Sequence, residues 1–277
     1  MNIAKSNQSP FTKVTVFGES KMLTNSVKAI FLIAIYCLFS FSSQSFANEN
    51  TGRWDLSFDL KTNHLWHGFI VTDGVMTSGE LTYKTADNKT TFGLWGGGSF
   101  NGEFKEFTYF ASHQFSDQLF VEIVNHGNHS SIPDSDVDIF DYSSDPLKTG
   151  NFIDVGLGYT FEGEMPISVY YSVIVQGVDS FVDADSGKKE RAYTNYIEIS
   201  APVWKGKDGE TVDVFIGGAF SPIQEKNFYS DNANINNLGF TYKKQLQVAG
   251  YSLPVSATAM WNPALNHGAL QVAVNLF

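Results

Sequence analysis

The sequence predicts an all-β fold, an up-and-down antiparallel transmembrane β-barrel of 12 strands. Three observations carry this expectation. The chain opens with an export leader, it continues in stretches whose apolar residues recur at every second position, and the connections between those stretches alternate between short and long.

The leader comes first in the chain. Lys28 precedes the apolar run AIFLIAIYCLF (29–39), and the small-residue stretch SFSSQSFA ends in Ser45-Phe46-Ala47. This is the pattern of a secretory signal peptide cut after Ala47. A transmembrane helix would need about 20 apolar residues, more than this run supplies. Residues 1–47 are therefore expected to be removed, leaving 48–277 as the mature domain. The residues ahead of Met22 add nothing to the leader, so Met22 is an alternative start of translation.

The full chain has 18 basic and 29 acidic residues. Cleavage takes away four Lys and one Glu, which leaves 14 basic against 28 acidic and a formal charge of −14. Such acidity argues against nucleic acid as a partner. The single cysteine, Cys37, leaves with the leader, so neither a disulfide nor thiol chemistry is expected in the mature protein. The remainder shows no linker, low-complexity tract or fixed-period repeat, as one large domain would.

Twelve stretches then read as strands: 53–69, 76–85, 90–99, 105–115, 119–126, 151–161, 167–176, 191–203, 211–220, 235–246, 252–261 and 268–277. In RWDLSFDLK (53–61), Trp54, Leu56, Phe58 and Leu60 alternate with Arg53, Asp55, Ser57, Asp59 and Lys61. Period two means an extended strand with one apolar and one charged face. The same alternation recurs at Ile153, Val155, Leu157, Tyr159, Phe161, at Ile167, Val169, Tyr171, Val173, Val175, and at Leu270, Val272, Val274, Leu276.

Loop lengths decide between a soluble sandwich and a barrel. The odd-numbered connections have 6, 5, 24, 14, 14 and 6 residues, and the even-numbered ones 4, 3, 5, 7 and 5. An up-and-down meander puts odd connections at one end and even ones at the other. Outer-membrane barrels have short periplasmic turns, longer outer loops, an even strand number and strands of about 9–11 residues. Aromatic residues on the apolar face near strand ends (Trp54, Phe115, Tyr159, Phe161, Trp261) match interfacial girdles. The apolar positions are thus expected to face lipid and the charged ones a watery lumen, with closure of the barrel satisfying every backbone group.

The stretches HLWHGFIVTDG (64–74) and FGLWGGGSFNGEFKE (92–106) resemble the TorF-type porin family of bacterial outer-membrane proteins, which shows a W-R-G-[FI] element and then a G-x-W-G…G-x-[FY]-K-E element. IDVGLGYTF (153–161) and RAYTNYIEISAP (191–202) are similar to later parts of the same family. This sequence has His67 where the family usually has Arg. The resemblance implies a barrel and a pore, and supplies no functional residues. Phe277 resembles the terminal aromatic by which barrel-assembly machinery selects its clients, although it is out of phase with Leu270, Val272, Val274 and Leu276.

Candidate chemistry is sparse. In NHGNHSS (125–131), His129 and Ser131 weakly resemble outer-membrane acyl hydrolases, where His and Ser two apart on a strand share a face and His takes the Ser proton. Ile132-Pro133 follows and is expected to leave the strand, which favours a polar loop. Asp134, Asp136 and Asp138, and likewise Asp183, Asp185 and Gly187, lack the full twelve-residue calcium-loop pattern and are read as a solvated anionic rim facing lipopolysaccharide. GLWGGGSF has no helix after it and is read as strand, not as a phosphate cradle. No metal or cofactor is expected.

The lumen is where function is sought. By parity its charged side chains are Arg53, Asp55, Asp59, Lys61, Glu80, Lys84, Glu106, Glu122, Asp154, Glu198, Asp213 and Lys243, eight acids against four bases. Asp59, Glu80, Glu122 and Glu198 are expected near mid-height. The sequence thus points to a monomeric outer-membrane channel for passive diffusion of small polar solutes, preferring cations and carrying no enzyme chemistry. A structural or adhesive barrel with a plugged lumen, and less strongly the hydrolase, are the alternatives.

Overall fold

The computed structural model describes residues 52–184, 186–248 and 250–277. The stretch expected to be a leader, with Met22 and Cys37, lies outside the described residues, as does Asp185. The described strands are β1 (Arg53–Lys61), β2 (His64–Trp66), β3 (Phe69–Thr72), β4 (Met76–Lys84), β5 (Thr90–Ser99), β6 (Lys105–Gln114), β7 (Leu119–Gly127), β8 (Asn151–Phe161), β9 (Ile167–Gly177), β10 (Ser180–Val182), β11 (Lys189–Arg191), β12 (Asn195–Lys205), β13 (Thr211–Phe220), β14 (Asn234–Val248), β15 (Tyr251–Asn262) and β16 (His267–Asn275).

Twelve of these close into one barrel in the order β1-β16-β15-β14-β13-β12-β9-β8-β7-β6-β5-β4. Each strand runs antiparallel to both neighbours, so the meander expected from the sequence is the observed topology. The seam is the shortest ladder, pairing Asp59 with Asn275, Leu60 with Val274 and Lys61 with Ala273. Phe58 extends it by donating to the Phe277 carbonyl and accepting from the Leu276 amide, and the Phe277 ring stacks on that of Phe58 at 5.8 Å. The irregular backbone after Asn275 thereby brings Phe277 beside an apolar ring despite its phase in the sequence.

The connections sort by end. One end carries 62–75, 100–104, 128–150, 178–194, 221–233 and 263–266, and the other the short turns 85–89, 115–118, 162–166 and 206–210 and the brief link from Val248 to Tyr251. The alternating apolar residues stand exposed on the outer surface, with Leu94, Ile123, Leu157, Ile199, Ile216, Phe240 and Leu270 spread around the wall. A continuous apolar belt around a closed sheet far exceeds the few hundred Å² that soluble monomers leave in water, and lipid is the solvent that suits it. At the short-turn end Trp54, Phe115, Tyr159, Phe161, Trp204 and Tyr251 form the aromatic margin where hydrocarbon meets headgroups.

Two stretches depart from the expected strands. The stretch 53–69 does not form one strand: β1 stops at Lys61, and the chain follows β16 for two more residues through the Thr62 amide on the Val272 carbonyl and Asn63 Nδ2 on the Leu270 carbonyl. It then turns off the wall into a separate hairpin, β2–β3. A barrel strand of 17 residues would overshoot the bilayer, and the His67-Gly68 pair supplies an alternative, because both residues have positive φ (45° and 87°). Two such residues between Trp66 and Phe69 make the tight turn that matches the twist of a hairpin. The stretch 191–203 likewise divides. Lys189–Arg191 pairs with β10 in the loop, and the wall strand begins only at Asn195.

Candidate functional site

The β2–β3 hairpin enters the barrel. Its tip touches inward-facing side chains of β7, β8, β9 and β12: the Trp66 ring lies 5.2 Å from His126 and 5.7 Å from Phe152, and the His67 ring 6.2 Å from Tyr170 and 3.8 Å from Tyr196, the last nearly parallel. From the opposite wall, Asn236 Nδ2 donates to the His67 carbonyl at 2.8 Å and Asn262 Nδ2 to the Gly68 carbonyl at 3.1 Å, with His267 Nε2 3.2 Å from that same carbonyl. Asn236 reaches inward because β14 carries a bulge there, Gly217 pairing with Asn237 and Gly218 with Ile235. The loop 221–233 closes the remaining gap. Tyr229 is buried, its hydroxyl 2.9 Å from His67 Nδ1, and Phe228 meets Trp66 edge-on. The long-loop half of the lumen is therefore filled by a plug of rings and amides.

The contact with Asn236 leaves no room for a side chain at the tip. A Cβ on Gly68 would fall 1.8 Å from the Asn236 carbonyl oxygen, so glycine is required both for its φ and for this approach.

Beside and below the plug the lumen is polar. Asp59 and Lys61 form an ion pair at 3.3 Å, and Asn275 Nδ2 donates to Asp59 Oδ1. Lys243 and Asp213 pair at 2.7 Å. Glu198 Oε2 accepts from Tyr196 and Asn237, Glu122 from Tyr170, and Glu106 from Thr108. Asp154 is buried, with His126 Nε2 3.6 Å from one oxygen and no hydrogen-bond partner on the other among the described residues. On β1 and β4 the register sets Arg53 opposite Lys84, Asp55 opposite Thr82, Ser57 opposite Glu80 and Asp59 opposite Ser78.

The order of strands separates the charges. Lys243 on β14, Arg53 and Lys61 on β1 and Lys84 on β4 all lie on the arc from β14 through β16 and β1 to β4, together with Asp55, Asp59 and Glu80. The facing arc, β6 through β9 and β12 to β13, holds Glu106, Glu122, Asp154, Glu198 and Asp213 and none of the four bases. Two cavities of about 330 and 390 Å³ lie toward the short turns at one boundary between the arcs, and Lys243 lines both.

The other candidates sit in the loops. His129 and Ser131 occupy a turn after β7, closed by the Ile132 amide on the His129 carbonyl, so they do not share a strand face. His129 is buried with both ring nitrogens unpartnered among the described residues, and burial followed by the charge of Lys105 holds its pKa below the ordinary value. Ser131 is exposed. Asp134 and Asp136 lie in a short 3-10 turn, Asp134 paired with Lys105 and Asp138 accepting from the Phe140 amide, while Asp183 accepts from the Ser186 amide. Among the described residues no group of three or more His, Asp or Glu is arranged to hold a metal ion. GLWGGGSF falls within β5 and the turn after it.

No protein-family model matches the chain, and no curated protein matches it. Among solved structures it is similar to Wzi of Escherichia coli, described as an outer-membrane protein involved in group 1 capsule assembly and a carbohydrate-binding β-barrel, at 8% identity and a TM-score of 0.34. The match covers 84% of this chain and 58% of that one. The closed antiparallel wall, its apolar belt and its charged interior define an outer-membrane β-barrel protein, seated in outer-membrane lipid.

Proposed function

We propose that the protein is an outer-membrane channel for small polar solutes, cation-preferring, with the β2–β3 hairpin as the element that closes its outer half. One observation carries the reading. The hairpin is a two-stranded sheet of its own, outside the barrel ladder, so it can leave the lumen without breaking a wall hydrogen bond. A polar, charged interior beneath it suits a water-filled path, as rings of charge do in pores. The motif resemblance to TorF-type porins agrees, and its W-R-G-[FI] element falls on the tip Trp66-His67-Gly68-Phe69.

The second reading, a structural or adhesive barrel, is favoured by the closeness of the packing around the tip, where Asn236 and Asn262 are wholly buried. Planar-bilayer recording of the purified protein separates the two. Discrete current steps are expected for the channel, and silence from both the wild type and a protein lacking the hairpin would overturn it.

Enzyme chemistry is not part of this proposal. His129→Ala and Ser131→Ala should each leave phospholipid and lipid A composition unchanged in cells overexpressing the protein, because the pair sits in a turn with no third group orienting it. Deacylation that disappears with Ser131→Ala would instead establish the hydrolase. The proposed partners are lipopolysaccharide at the acidic rim, barrel-assembly machinery at the strand ending in Phe277, and the solute. The proposed state is a monomer.

A further inference from the structure

We infer that the cavities below the plug form a binding site for small zwitterionic solutes, molecules carrying an ammonium and a carboxylate on one short frame. The inference rests on the channel reading for its physiological purpose, but the site itself is defined by the resting structure. Its two cavities adjoin at Lys243, and each is of the size at which ligand pockets begin, about 300 Å³.

The lining carries both signs in a fixed order around the wall. Glu198 and Asp213 belong to the arc that holds none of the four inward bases, while Lys243 and Lys61 belong to the arc that holds all four. Glu198 uses only Oε2 in its contacts to Tyr196 and Asn237, leaving Oε1 without a hydrogen-bond partner among the described residues. Lys61 and Lys243 each engage one carboxylate and keep further N–H donors for a guest. An ammonium therefore has an acceptor at Glu198, and a carboxylate has donors at Lys243 and Lys61.

Simpler ions fit less well. A free anion entering this lumen meets an excess of acids, and a free cation drawn to Glu198 meets Lys243 close by. A zwitterion lies along the field that the two arcs set up, with each end beside its opposite charge. Low-dielectric walls strengthen that alignment.

Titration calorimetry on the purified, hairpin-intact protein in detergent at low salt tests this, with L-alanine, propionate and propylamine as probes. L-alanine should bind at least tenfold tighter than either singly charged relative, and Lys243→Gln and Glu198→Gln should each weaken it at least tenfold. Lys89→Gln, in an exposed short turn, should leave it unchanged. Heat-dependent gel migration shows which variants have folded. Equal affinity for the three probes, or unaltered alanine binding in both folded variants, overturns the inference. Binding needs no current, so alanine binding in a silent protein would sink the channel reading alone, and current without alanine preference would sink this inference alone.

Discussion

Replacing residues 64–72 by a Ser-Gly link should raise single-channel conductance at least tenfold and turn brief openings into sustained ones. The hairpin reaches inward-facing groups on β7, β8, β9, β12, β14, β15 and β16, so removing it clears the section of lumen where those contacts converge. The barrel ladder does not pass through the excised residues, and folded protein should still shift on boiling in a gel. Three side-chain contacts hold the tip carbonyls, each worth about 1 kcal/mol. Stacking of His67 on Tyr196 adds about 0.5–1.5 kcal/mol. Gly68→Ala attacks the same docking with one methyl group, because its Cβ would clash with the Asn236 carbonyl oxygen at 1.8 Å. It should give intermediate conductance. Unchanged current in the excised protein would mean that the 221–233 loop alone blocks the path.

Acidification should act in the same direction. The hairpin is not one of the membrane-spanning strands, and in the docked state burial, followed by repulsion from His126, lowers the His67 pKa to about 3. An undocked, solvated histidine titrates near 6.5. Between those values the undocked hairpin binds more protons than the docked one, so docking weakens as pH falls below about 6.5, by up to about 1.4 kcal/mol per pH unit. Wild-type open probability should therefore rise from pH 7 to pH 5.5, and that rise should be lost in the excised protein.

Why the wall was legible and the plug was not follows from what each depends on. Period two and the sorted loops report on local geometry and on the two solvents of a barrel wall, lipid outside and water inside, and these repeat along every strand. Trp66 falls in phase with the apolar positions of β1 and looks like more of that strand, yet its partners His126 and Phe152 are other parts of the lumen instead of lipid. The available signals were the excessive length of 53–69 and the adjacent His67-Gly68. Tyr170, Tyr196, Asn236, Asn262 and His267 could not have been singled out, since each gains meaning only from the hairpin tip it meets. Parity alone points to the twelve lumen charges. Parity says nothing of which strands face each other across the barrel, and the division into an acidic and a mixed arc comes from closure.

That division sharpens the expected ion selectivity. Eight inward acids against four inward bases leave a formal lumen charge of −4. Position along the strands alone ranks Asp59, Glu80, Glu122 and Glu198 together as the dominant acids. Asp59 is paired with Lys61, and Glu80 shares its arc with Lys84, so part of their field is cancelled locally. Glu122 and Glu198 stand on the arc that holds none of the four inward bases and should carry more of the selectivity. Salt at 0.1 M screens charge over about 10 Å, comparable to a narrow lumen, so cation preference should be strong at low salt and weak at 1 M. Reversal potentials across a salt gradient, measured on the hairpin-excised protein to guarantee current, give the test. Glu122→Gln with Glu198→Gln should move the reversal potential toward zero by more than Asp59→Asn with Glu80→Gln. Anion preference in the parent protein, or the opposite ranking of the two double variants, would show that the conducting path does not run along the acidic arc.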